Sequence, residues 1–316
     1  MGRSFLCPEA CNCSAPDTGN MEVLLQHGNM EQQKKYLIPL LDGSIRSAFL
    51  MTEPDVASSD ATNIETKLTK KIVHTSTGNS VKYFLNGKKW WSTGAMDPRC
   101  KVALVLAKME YSSGEGTSQS AHGAHTVVLV PMEKVKMVRA LTVMGYDDAP
   151  HGHAEVSLEN IELDESCLVL GEGKGYQIAQ SRLGPGRIHH CMRAVGMAAR
   201  CYELMLERSM ARKTFGKYLC EHGGCQEMIA DSRADLECAR LLTLSCASAI
   251  DNMGAKHARD QISMIKFSVP ELAFRVIDRA LQVSSSFLLA TIHTTFCRLS
   301  VHYRTFDIII YLFMMY

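Results

Sequence analysis

Phe49-Leu-Met-Thr-Glu-Pro-Asp-Val-Ala-Ser-Ser-Asp60 decides how the rest of the chain is read. Its first residues are apolar or β-prone, and Pro54 then stops a strand because proline has no N–H to give to a ladder. Ala57, Ser58 and Ser59 follow, closed by Asp60. A turn of such small residues leaves backbone N–H groups and hydroxyls open to a polar, planar or phosphorylated ligand. About thirty residues on, Asn86-Gly-Lys-Lys-Trp-Trp-Ser-Thr-Gly94 holds both tryptophans of the chain. Asn86-Gly87 is a hairpin signal, so a turn is expected there, leading into a tryptophan-bearing strand. Paired, the two segments would set a flat indole beside two hydroxyl clusters on one sheet face. An ordinary β-meander with a core tryptophan would use the same residues.

Met51-Thr-Glu-Pro-x-x-x-Ser-Ser-Asp60 followed by Asn86-Gly-x-Lys-x-Trp91-x-x-Gly94, with Thr93 in the same run, resembles the acyl-CoA dehydrogenase family. The spelling Thr52 to Ile64 is most similar to the branch that holds members ten and eleven. Two further stretches fit this resemblance: Gly184-Pro-Gly-Arg187-Ile-His-His190, and Arg212-Lys-Thr-Phe-Gly-Lys217. The family fold it implies is α+β, with a helical N-terminal domain, a central β-barrel and a C-terminal helical bundle. The cofactor implied is FAD. Its contacts would be Phe49, Met51, Thr52, Ser58, Ser59, Trp91, Thr93, Arg212 and Gln282. The acyl-CoA would meet Ser59, Gly184, Pro185, Gly186 and Arg187. Arg212 would reach the FAD pyrophosphate of a neighbouring subunit, a contact for which a guanidinium is well suited.

Taken in order, the chain divides into a helical remnant (1–46), a β domain (47–165), a helical bundle (166–283) and a divergent tail (284–316). Asn20 to Leu41 carries apolar residues three and four apart, with Pro39 and Gly43 at its end. Val81–Leu85, Lys101–Ala107, Thr126–Pro131 and Ala154–Leu158 read as short strands. Strands at this spacing without long helices between them predict a closed or nearly closed barrel. The Gly/Ser-rich stretch Ser112 to His125 reads as a solvated hairpin tip. Leu170-Gly-Glu-Gly-Lys-Gly175 has neither the phosphate-loop nor the dinucleotide spacing, so it is a turn. From Tyr176 the periodicity is helical: one long helix to about Lys213, a second near 226–253, and a third near 256–283 interrupted at Pro270. Long helices with short links make a bundle.

Composition narrows the function classes. At 316 residues and a net charge of +1, with no basic runs, nothing points to nucleic acid or an anionic surface. Twelve scattered cysteines without a secretory signal read as reduced, an intracellular pattern. Cys7, Cys11 and Cys13 lack a second pair at zinc spacing. His189-His190-Cys191 are adjacent on a helix and point about 100° apart, which no single ion easily spans. The apolar C-terminal run is shorter than the roughly twenty residues of a membrane span. No targeting signal is legible, although the resemblance implies mitochondria or peroxisomes.

The reaction implied is α,β-dehydrogenation of a long-chain fatty acyl-CoA in β-oxidation. Electrons would pass to an electron-transfer flavoprotein, and the subunits would form a dimer or tetramer. That chemistry needs a carboxylate base for the α-proton. Most of the family places it after a Gly-Gly-x-Gly turn, where this chain reads Ser284-Ser-Ser-Phe287. A minority place it at the position of Gly186. Glu53 and Asp60 have structural roles in the family, so no residue here inherits the base. A silent flavin- and acyl-CoA-binding form that pairs with full-length subunits therefore stands beside the enzyme. A chain that fails to fold, its apolar faces uncovered, is the third reading.

Overall fold

A computed structural model of the chain describes residues 1–4, 6–57, 60–75, 78–111, 123–143, 145 and 150–284. These fall into two compact units, residues 12–183 and residues 184–284 with 1–11.

In the first unit, α2 (Asp17–His27), α3 (Met30–Gln32), a π-turn (Gln33–Leu37) and α4 (Ile38–Leu41) follow the short α1 (Cys7–Ala10) of the other unit. Asn29 caps α3 through a reciprocal pair of bonds with Gln32. Seven strands come next: β1 (Arg46–Leu50), β2 (Lys67–Thr75), β3 (Gly78–Thr93), β4 (Cys100–Tyr111), β5 (His125–Pro131), β6 (Lys136–Leu141) and β7 (His153–Asp164). They pair in the order β1-β4-β2-β3-β7-β6, with β5 also on β4. Among the described residues no pairing joins β6 back to β1. The four strands expected from the sequence lie within β3, β4, β5 and β7.

Strand β4 is apolar without alternation because both of its faces are covered. Ala103, Val105 and Ala107 join Leu50, Leu85 and Val156 in one core. Val102, Leu104 and Leu106 join Val23, Leu24, Leu40 and Ile178 in another, beneath the N-terminal helices. Both sets are essentially solvent-free.

The second unit holds most of α5 (Gly175–Ala211), a hairpin of β8 (Lys213–Thr214) and β9 (Lys217–Tyr218), and α6 (Gly223–Met253) and α7 (Arg259–Ser284). Its core takes Ala194, Ala198, Cys201 and Met205 from α5, Leu236 and Ala239 from α6, and Ile262, Ile265, Val269, Ala273 and Val276 from α7. This is helical spacing, with small residues on α5 that permit close approach. The interruption expected at Pro270 does not occur. The proline lies inside a continuous α7 and is buried. Only one backbone bond is forfeited by a missing N–H, while apolar residues on both sides of Pro270 hold the helix in the core.

The Asn86-Gly87 hairpin is likewise absent. Both residues lie inside the sixteen-residue β3, at a register shift between Leu85 and Gly87. A Cβ on Gly87 would stand 2.4 Å from Thr66 Oγ1 and 2.8 Å from Thr66 Cα. The glycine serves a bulge and a close backbone approach rather than a turn. Gly87→Ala is accordingly expected to cost about 1–3 kcal/mol in urea unfolding, the range for overpacking. Gly224→Ala, in the first turn of α6 with open space around it, should leave stability unchanged or raise it by up to about 1 kcal/mol.

Candidate flavin face

The Phe49–Asp60 stretch leaves β1 and is fastened to β3 by main-chain and side-chain bonds. Thr52 accepts from the Trp90 amide at 3.0 Å. Its Oγ1 donates back to the Trp90 carbonyl at 2.6 Å. Next to this, the Lys89 Nζ donates to the Met51 carbonyl at 2.9 Å and to Glu53 Oε1 at 2.8 Å. Glu53 also accepts the amides of Glu65 at 2.7 Å and Thr66 at 2.9 Å. Lys89 and Glu53 are both buried. Burial raises the Glu53 carboxyl, but Lys89 and the two amides outweigh it and hold the group below the usual range. Burial pulls the Lys89 ammonium down to about 8, with Glu53 opposing the fall. At the far end Asp60 accepts from the Thr62 amide at 2.9 Å and caps the turn Ala61–Asn63.

On β3 a second register shift lies between Lys89 and Ser92, and Trp91 sits at φ +49°. A bulky residue in the left-handed region is held there only by its surroundings. Its indole lies 5.7 Å from the His153 ring and 6.4 Å from Trp90, tilted in both cases. His153 Nδ1 is 2.9 Å from Thr93 Oγ1. Gly94 (φ +83°) follows, and its amide donates to the Gly152 carbonyl at 3.0 Å. Phe49 is covered by the Arg182 guanidinium, 4.1 Å above its ring. Arg182 Nε donates to Asn20 at 3.1 Å, Asn20 donates to Ser47 at 2.9 Å, and Ser47 donates to Asp17 through both its amide and its hydroxyl. Burial pulls Arg182 down to about 10.

Five of the sequence-derived cofactor residues thus stand close together: Phe49 in β1, Met51 and Thr52 in the run after it, and Trp91 and Thr93 in β3, the run and the strand joined by the Thr52–Trp90 hydrogen bonds. Phe49, Trp91 and Thr93 are half-buried, and Met51 and Thr52 are buried. Ser58 and Ser59 lie outside the described residues. Arg212 and Gln282 belong to the other unit. Arg212 closes α5 just before the β8–β9 hairpin, accepting from the Leu219 amide at 2.9 Å. Gln282 is exposed on α7. Gly184, Pro185, Gly186 and Arg187 are all inside α5, and a Cβ on Gly184 or Gly186 would meet nothing within 4 Å. Arg187 is half-buried beside Arg259, and burial with that like charge lowers its pKa. Neither guanidinium has a carboxylate within salt-bridge distance among the described residues.

Lys89, His153 and Arg182 hold this face and were not singled out from the sequence. Lys89 stood within the quoted Asn86–Gly94 run, but its partner Glu53 is 36 residues away. A cavity of about 540 Å³ lies elsewhere in this unit, lined by residues that include Gln32, Lys70, Glu165 and Glu172. There Glu172 accepts from Tyr83 at 2.6 Å, Tyr111 at 3.2 Å and Lys70 at 3.0 Å. Its acceptors are therefore occupied by the protein itself.

Residues 48–161 match the acyl-CoA dehydrogenase middle domain, and residues 173–309 the acyl-CoA dehydrogenase C-terminal domain. The second match runs past Val283, where the motifs alone had set the end of the resemblance. Acyl-CoA dehydrogenase family member 11 of Gallus gallus is 49% identical over 285 residues, 89% of this chain and 35% of its own length. The chain spans about a third of the length of such curated relatives. A solved structure from Mycobacterium abscessus, assigned as an acyl-CoA dehydrogenase, is 41% identical with a TM-score of 0.87, covering 97% of this chain and 72% of that one. The FAD complex of PigA shares the fold at 23% identity and a TM-score of 0.74, covering 93% and 74%.

Lys89→Met should lower stability by about 3–5 kcal/mol in urea at pH 7, because Glu53 is left buried and charged without its countercharge. In the parent chain the depressed Glu53 pKa means that the pair's contribution is present above about pH 4.5 and lost as pH falls through the folded value. In the variant the sign reverses: acidification protonates Glu53 and narrows the gap to the parent. Urea midpoints at pH 7 and 5 read the narrowing in the variant, and a further midpoint below pH 4.5 reads the parent's loss. The two domain matches, the identity to the Mycobacterium abscessus protein and the shared fold establish that this chain belongs to the acyl-CoA dehydrogenase family.

Proposed function

We propose that this chain holds FAD against Phe49, Met51, Thr52, Trp91 and Thr93 and takes a fatty acyl-CoA, as an α,β-dehydrogenase of long-chain substrates. The observation that carries this reading is the place where the run after β1 is fastened to β3. Trp91 is half-buried in a strained conformation against His153, which also bonds the Thr93 hydroxyl, on a strand tied to the run after β1 through Thr52 and Lys89. A planar, hydrogen-bonding ring system fits that donor set, and apolar packing alone does not require Trp91 at a positive φ.

When bound, the flavin supplies the acceptor for the substrate's hydride. The chain's residues supply orientation. Thr93 would offer its hydroxyl to the flavin, Thr52, whose proton goes to the Trp90 carbonyl, would hold the backbone beside it, and Trp91 would offer an aromatic wall that keeps water away. Ser58, Ser59 and Gln282 belong to the proposed cofactor set, and Arg212 is proposed to reach the FAD pyrophosphate of a neighbouring subunit. Open backbone at Gly184 and Gly186, with Pro185 between them, gives room for the CoA portion of the substrate. The Arg187–Arg259 pair of cations calls for an anion, which the phosphates of CoA provide. Electron-transfer flavoprotein as acceptor, a dimer or tetramer, and a mitochondrial or peroxisomal site belong to the same proposal.

One observation favours a second reading. The position at which part of the family carries its base is Gly186, and Glu53 is fully engaged with Lys89 and two amides. A chain that binds FAD and acyl-CoA without turnover, pairing with full-length subunits, fits this. Anaerobic addition of a long-chain acyl-CoA to the FAD-loaded chain separates the two. Bleaching of the visible flavin bands is the result for the dehydrogenase. A band shift without bleaching is the result for the silent binder. Under either reading Arg187→Gln should weaken acyl-CoA binding by about tenfold, the worth of one charge-assisted contact. The loss should shrink at high salt, and titration of the flavin band shift measures it.

A further inference from the structure

His153 is not among the residues assigned to the flavin face, yet it touches two that are. It is the direct cross-strand partner of Thr93 in the β3–β7 ladder. Its Nδ1 lies 2.9 Å from the Thr93 hydroxyl, and its ring stands 5.7 Å from the Trp91 ring. With 4% of its surface exposed, it is buried in this arrangement.

A threonine hydroxyl has one proton to give, and a neutral imidazole has one N–H and one acceptor nitrogen. An oxidised flavin presents a bare ring nitrogen, which accepts. After taking hydride the same nitrogen carries hydrogen and donates. If Thr93 gives its proton to the oxidised ring, only an Nδ1–H can satisfy the Thr93 oxygen from the other side. If Thr93 accepts from the reduced ring, its proton must turn to a bare Nδ1. The imidazole meets both cases by changing tautomer: Nδ1 holds the proton in the first, and in the second Nδ1 releases it to solvent while Nε2 takes one up, so the proton count is unchanged.

We propose that His153 is a positioning residue that sets the direction of the Thr93 hydrogen bond in each redox state and braces the Trp91 ring. This rests on the flavin site proposed above. The test equilibrates FAD-loaded chain with a reference redox dye and reads the ratio of reduced to oxidised flavin. His153→Phe, which keeps an aromatic ring against Trp91, should move that ratio by about tenfold, the worth of one hydrogen bond. Thr93→Val should move it too, and the double variant should move it no further than Thr93→Val alone. His153→Asn, whose amide reaches the place of Nδ1, should restore the parent ratio; if the phenylalanine variant does not fold, His153→Leu, which also removes the hydrogen-bonding nitrogen, takes its place and should move the ratio in the same way. A parent ratio in His153→Phe alongside a shifted one in Thr93→Val would overturn the proposal, as would full additivity of the two. A parent chain that takes up no flavin would overturn the flavin site first, and this inference with it.

Discussion

The buried pair of Lys89 and Glu53 is the constraint on which the rest of this face depends. A fully buried ammonium is tolerable only with a carboxylate and further acceptors around it. Here those acceptors are Glu53 and the Met51 carbonyl, 2.8 and 2.9 Å away. Glu53 in turn takes two amides from the chain ahead of β2. One charge therefore binds together three segments: the run after β1, the entry to β2 and the middle of β3. Removing the charge would free the first of them, and with it the backbone at Thr52.

Fixing that run sets the geometry of its neighbours. Thr52 and Trp90 exchange hydrogen bonds directly beside Lys89. The register shift that follows places Trp91 at its positive φ, and His153 across the ladder receives the ring. On the other side Phe49 lies under Arg182, which is joined through Asn20 and Ser47 to Asp17. Polar groups with partners on both sides specify one arrangement where an apolar core would allow several. The candidate flavin face is thus held by buried polar chemistry, while stability comes from the two apolar layers around β4.

Much of this was legible in the sequence, for reasons that differ by residue. The strands around Val105, Val128 and Val156 announce themselves by β-branched runs, and the helices by periodicity. Phe49, Thr52, Trp91 and Thr93 stand out in the sequence because they sit in two short motifs, which the fold joins through Thr52 and Trp90. Asn86-Gly87 and Pro270 misled because local propensity was overruled by tertiary packing: Thr66 crowds the glycine, and the bundle core holds the proline in helix. Lys89, His153 and Arg182 escaped because each acquires its meaning from a partner far along the chain. A lysine next to two tryptophans carries no sign that its ammonium will be buried against a glutamate 36 residues earlier.

The most direct measurement is a titration of the chain with FAD followed by tryptophan emission, which reports on the face itself because Trp90 and Trp91 are the two tryptophans present. The account predicts saturable quenching of the parent chain, sharply reduced in Trp91→Leu. Emission that falls only in proportion to added FAD, identically in the parent and the variant, would contradict it.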